Sequence, residues 1–138
     1  MVDKTLILRK LAALDEYLSQ INTYAGISME AYTSDWKIQR IVERTLQIMI
    51  ETCLDISGHI ISDEKLQIPE TYADMFRILT RNGVLKDSQL DVLEKMARFR
   101  NIVVHDYERI DPSIVVGILK KNLSDFEEFQ TSIIEYLK

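Results

Sequence analysis

Apolar residues recur along this chain at spacings of three and four, the period of a helix buried on one face. Ile7, Leu11, Leu14, Leu18 and Ile21 form one stripe, with Asp15, Glu16 and Gln20 off it, which predicts a first helix over roughly residues 3 to 24. Ala25-Gly26 and the polar run YTSDW break that pattern. Ser34 or Asp35 suits the N-cap of a longer second helix, because either side chain accepts from a free first-turn amide. Its stripe runs through Ile38, Val42, Leu46, Met49, Cys53 and Ile56, with Gly58 near the end. Residues 57 to 70 read as a connection with a helical turn in it. Pro69 then suits the first position of a short helix through Leu79, closed by Asn82-Gly83 in left-handed geometry.

A fourth helix, capped by Asp87 or Ser88, carries two neighbouring rows. Val92, Met96, Phe99 and Val103 make one; Leu93, Ala97, Arg100 and Val104 make the other. The β-branched Ile102-Val103-Val104 fits a strand by propensity, but the helical rows pass through it and no partner strand exists. Asp111-Pro112 marks the start of the last helix, whose stripe is Val115, Leu119, Phe126, Phe129, Ile133 and Tyr136, with Asn122 its one polar interruption. The fold class expected is all-α: an antiparallel bundle of four long helices plus a short one, forming a single domain over residues 1–138.

Composition narrows the function classes. Hydrophobic residues make up 46% and charged residues 28%, a globular balance. The net charge of −5 argues against broad coating of nucleic acid, while leaving room for a local basic groove between subunits. No window reaches the ~20 apolar residues of a membrane span. The start MVDKTLILRK has no secretory h-region, so a cytoplasmic protein is expected. A lone Cys53 forms no internal disulfide and two histidines build no structural zinc site, so neither metal nor cofactor is expected.

The chemistry concentrates in RFRNIVVHDY, residues 98 to 107. Arg100 stands on a core-facing row, where a charge needs a partner. Snorkelling, or an ion pair with Asp125 or an acid of the first helix, would supply one reason; binding a phosphate would supply another. His105 falls at the helix C-terminus beside Asp106, as a cap or as a proton-transfer group. Five residues apart, the two side chains do not stack on a straight helix; they converge if the helix ends near Val104 and the backbone turns. Lys37, Arg40 and Arg44 share a helix face and, with Arg98 and Arg109, form either a solvated surface or an RNA path. His59 reads as a helix-end histidine, and Cys53 and the Phe126, Phe129, Tyr136 row as core or as a surface between subunits.

Arg100-Asn101-x3-His105-x-Tyr107 resembles the R-x4-H-x-Y signature of the HepT-like branch of the HEPN superfamily, and the length, helix order and Asp-Pro start of the last helix fit it too. The resemblance implies a metal-independent endoribonuclease, the toxin of a toxin–antitoxin pair. In it Arg100 and His105 are catalytic, Asn101 supports them, and Tyr107 takes AMP from an MntA-type nucleotidyltransferase. It also implies a homodimer with the two motifs meeting in one cleft. The residue chemistry agrees: the 2′-OH of RNA, absent from DNA, is an internal nucleophile; histidine moves protons; and arginine presents a planar fork to phosphate. One histidine per chain is short for separate acid and base, and a two-fold interface supplies the second. A non-catalytic module that binds a nucleotidyltransferase or a nucleotide would use the same residues without cutting.

Overall fold

The computed structural model describes residues 1–138. Seven helices follow one another: α1 (Lys4–Ile21), α2 (Met29–Ser34), α3 (Trp36–Asp63), α4 (Tyr72–Arg81), α5 (Asp87–His105), α6 (Pro112–Lys121) and α7 (Leu123–Leu137). There is no strand, and Ile102-Val103-Val104 is helical. A core of 33 buried apolar residues draws on every helix. Its centre is the predicted stripes: Ile7, Leu14, Val42, Leu46, Met49, Ile56, Val115, Phe126, Phe129 and Ile133 are all fully enclosed. No helix is long and apolar enough to cross a membrane.

The helix starts follow the capping chemistry. Asp3 accepts from the Leu6 amide at 3.1 Å and Asp35 from the Lys37 amide at 2.9 Å. Asp111 accepts from the Ser113 hydroxyl at 2.7 Å and its amide at 2.9 Å, and these bonds hold the Asp111 carboxyl below its ordinary range. Asn82 closes α4, and Gly83 follows at φ 78, the left-handed geometry expected there.

Several boundaries differ from expectation, each for a local reason. The first helix ends at Ile21 and tightens into a 3-10 turn, Asn22–Tyr24. The run read as a break instead contains α2, where Ser28 caps through the Ala31 amide and Tyr32 is buried; six residues are too few for a periodic signal. The second helix does not stop near Gly58 but runs to Asp63, because Ile60 and Ile61 continue its buried stripe. Gly58 lies inside it, where an added Cβ would stand 3.1 Å from Met75 Cε, so the glycine marks close approach of α3 to α4. Pro69 precedes α4, which begins at Tyr72 with Thr71 as its cap. Neither Asp87 nor Ser88 caps α5: Lys86 holds that position, and its amide donates to the Gln89 side chain at 2.9 Å. The last helix is two, because the chain breaks step at Asn122, whose Nδ2 donates to Asp125 at 2.9 Å.

Candidate active site

Arg100 is drawn inward by its row on α5, and its side chain is only 13% exposed. Its partner is neither Asp125 nor an acid of α1 but Glu51 on α3. Glu51 Oε2 accepts from Arg100 Nη2 at 2.8 Å and from Nε at 3.0 Å. Gln47, one turn earlier on α3, adds a weaker contact to the same oxygen at 3.4 Å. Arg100 Nη1 donates to Asn101 Oδ1 at 3.1 Å, and the guanidinium lies over the Tyr72 ring, 4.8 Å from its centre. These contacts use three of the five guanidinium N–H groups, leaving two to grip an incoming oxygen. The fork is thus fixed before any ligand arrives, the arrangement that makes a charged donor effective.

His105 stands at the helix end as expected: α5 stays helical through His105, one residue beyond Val104, and the backbone leaves helical geometry at Asp106, which opens the 3-10 turn Tyr107–Arg109. No hydrogen bond joins Arg100 to His105, and of the two Asn101 bonds to Arg100 alone. Asn101 is four residues before His105 and shares its helix face, while its carbonyl oxygen holds Arg100. Asn101 and His105 line a cavity of about 440 Å³ with Thr71, Tyr72 and Met75, and Tyr72 and Met75 also wall the neighbouring groove that contains Arg100. Tyr72 therefore stands between the two halves of the motif. The packing of the motif's apolar run also differs from expectation: Val103 is half-buried, but Ile102 and Val104 are 37% and 39% exposed, because the end of α5 projects beyond the core.

Tyr107 is 56% exposed, and the Arg40 guanidinium carbon stands 5.8 Å from its ring centre. Arg40 also pairs with Glu43 at 2.9 Å. Of the other cations considered, Arg98 contacts Glu94 and Arg109 contacts Asp106, at 3.4 and 3.5 Å, while Lys37 lies 6.0 Å from the Trp36 ring centre. Arg44 is exposed without an ion pair. The basic residues therefore do not form one continuous unpaired stripe. His59 is not at a helix end; it sits within α3, 3.8 Å from Asp55. Cys53 is buried core, and burial pushes its thiol far above the ordinary range. Phe126 and Phe129 are core, and Tyr136 packs half-buried against it.

Glu51 and Tyr72 are the residues that periodicity did not single out. Glu51 had a visible signal: Gln47, Glu51, Asp55 and His59 form a polar row at intervals of four along α3. Tyr72 had none, since its role depends on where α4 packs.

The fold is an all-α bundle that presents an inward arginine fork beside a face bearing Asn101 and His105. The family model "Ribonuclease HepT-like" matches residues 14–133, and the chain belongs to that family. It is 34% identical over 124 residues to the mRNA nuclease HepT of Shewanella oneidensis, covering 90% of this chain and 92% of that protein. It is 27% identical over 136 residues to the tRNA nuclease HepT of Aphanizomenon flos-aquae, covering 99% and 92%. The tri-AMPylated HEPN toxin of Shewanella oneidensis, solved in complex with MNT antitoxin, superposes with a TM-score of 0.86 at 32% identity, covering 98% of this chain and 99% of that one.

Proposed function

We propose that this protein is the RNA-cutting toxin of a HepT/MntA-type toxin–antitoxin pair and that it cleaves without a metal ion. The observation that carries the proposal is the Arg100 fork, held by Glu51, Asn101 and Tyr72 with two N–H groups unused, next to the face bearing His105. Arg100 binds the non-bridging oxygens of the scissile phosphate and stabilises the charge that builds on them. The 2′-oxygen attacks phosphorus, its proton passes to a histidine, and the P–O5′ bond breaks as the 5′-oxygen takes a proton. The products are a 2′,3′-cyclic phosphate and a 5′-hydroxyl. His105 of one chain takes the proton and His105 of a second copy supplies the other. Exposed Ile102 and Val104, within the motif itself, support a second copy docking there.

The test is incubation of the purified protein with RNA in EDTA, after its intact mass has shown that Tyr107 is unmodified. Cleavage to 2′,3′-cyclic phosphate ends is expected. An intact substrate at saturating RNA would overturn the proposal.

An MntA-type nucleotidyltransferase silences the toxin by modifying Tyr107. The Tyr107 hydroxyl oxygen attacks the α-phosphate of ATP, pyrophosphate leaves, the hydroxyl proton is released, and AMP stays bonded to the phenolic oxygen. The exposure of Tyr107 supports this, and Arg40 stands close enough to meet the added phosphate. Tyr107→Phe is expected to take up no AMP by intact mass and to go on cutting RNA in the presence of the transferase and ATP. Silencing of that variant under the same conditions would refute this mode of control.

A further inference from the structure

Beside Arg100 lies an open groove of about 740 Å³ between α1, α3 and α4, within the ~300–1,000 Å³ range of small-ligand sites. Its cations are already matched. Lys10 pairs with Asp55, and Arg100 pairs with Glu51. A second phosphate would meet no unpaired cation here, whereas a neutral, flat, hydrogen-bonding group would meet no charge penalty. Tyr72 forms one wall. Tyr72 is 42% exposed although Arg100 lies against its ring, which leaves surface of this residue open beside the proposed phosphate-binding fork. His59 lines the same groove and makes no close hydrogen bond, since Asp55 is 3.8 Å away, and the Ser62 hydroxyl lies one turn further along α3. A stacking wall with uncommitted polar edges next to a phosphate anchor is the combination that single-stranded RNA recognition uses.

We infer that this groove is a nucleobase subsite: the base of the nucleotide attached to the phosphate held by Arg100 stacks against Tyr72, and its edge is read by His59. The inference rests on the ribonuclease proposal for its substrate, and it makes the groove the element that sets which bases flank the cut. Ala13, on the α1 wall, offers a way to close the groove without touching the motif.

The test titrates ¹⁵N-labelled protein with each of the four nucleoside 3′-monophosphates and follows amide shifts. Shifts at groove residues of α1 and α3, as well as at Arg100, are expected. Ala13→Trp should abolish the groove shifts while the rest of the spectrum stays in place. Tyr72→Ala should weaken binding roughly tenfold or more through lost stacking, and Tyr72→Phe should retain it. His59→Ala should narrow the affinity differences among the four bases. Nucleotide binding unaltered by Ala13→Trp, or shifts confined to the Arg100 and His105 side, would overturn the subsite, as would no binding at all. A cleavage assay separates the two proposals. If the protein cuts RNA and Ala13→Trp leaves both KM and base preference unaltered, the subsite fails and the ribonuclease stands. If the groove binds nucleotides but no RNA is cut, the ribonuclease proposal fails alone.

Discussion

Alanine at His105 is expected to slow RNA cleavage by about 10²–10⁴-fold, and alanine at Arg100 by about 10²–10³-fold, as measured by kcat on a defined oligonucleotide. The two losses differ in character. His105 is exposed at the end of α5, so its removal takes away proton transfer and little packing. Arg100 is held by Glu51, Asn101 and Tyr72, so its removal also releases those groups. Arg100→Lys is expected to recover little, because an ammonium reproduces the charge but not the planar fork. Glu51 acts through Arg100 as a positioning residue. Glu51→Ala should lower kcat about tenfold by leaving the guanidinium free to wander, with a smaller loss for Glu51→Gln, which keeps an accepting oxygen. Equal activity of Glu51→Ala and the parent would remove Glu51 from this scheme.

The same variants test whether two chains build one site. If each cleft needs His105 from both subunits, mixing parent and His105→Ala chains in equal amounts under subunit exchange should leave about a quarter of the activity, against about a half for independent sites. Activity proportional to the parent fraction would show that each chain works alone.

The sequence revealed the helices well where they pack with a long apolar stripe and poorly where they do not. Ile7 to Ile21 and Val42 to Ile56 repeat for several turns, and both stripes are buried as their spacing requires. In contrast, α2 has six residues and one buried side chain, so it carries no period to detect. Asp111-Pro112 is a local cap that tertiary packing does not alter, and it holds. Pro69 carried a similar local signal and did not start α4; Thr71 outcompeted it by accepting from the Asp74 amide at 3.0 Å.

The motif itself was legible at Arg100, Asn101 and His105, yet the way it is assembled was not. Spacing along one helix could not disclose that Asn101 accepts from Arg100 or that Glu51, 49 residues away, holds the guanidinium. The burial of Arg100 required an acid somewhere, but only the packing of α3 on α5 selects which one. The burial expected of Val104 failed for a related reason: a helical row predicts which face points inward, not how far the core extends along the helix.

Phe129→Ala is expected to destabilise the fold by about 3–5 kcal/mol, a large share of the ~5–15 kcal/mol typical of a domain. Phe129 on α7 is fully buried and meets Phe76 of α4 edge to face, with ring centres 6.3 Å apart and planes at 79°. Truncation removes that contact and opens a cavity where α4 is seated. In urea unfolding the midpoint should fall while the slope stays the same, and a cycle with Phe76→Ala should show a coupling of about 0.5–1.5 kcal/mol for the aromatic pair. The effect should also reach the site. Tyr72 lies one turn before Phe76 on the same helix, so loosening the seat of α4 loosens the wall on which Arg100 rests. At a temperature where Phe129→Ala is still folded, cleavage should therefore fall several-fold, chiefly in kcat. A destabilised but fully active variant would show that the Arg100 fork is held by Glu51 and Asn101 without help from α4.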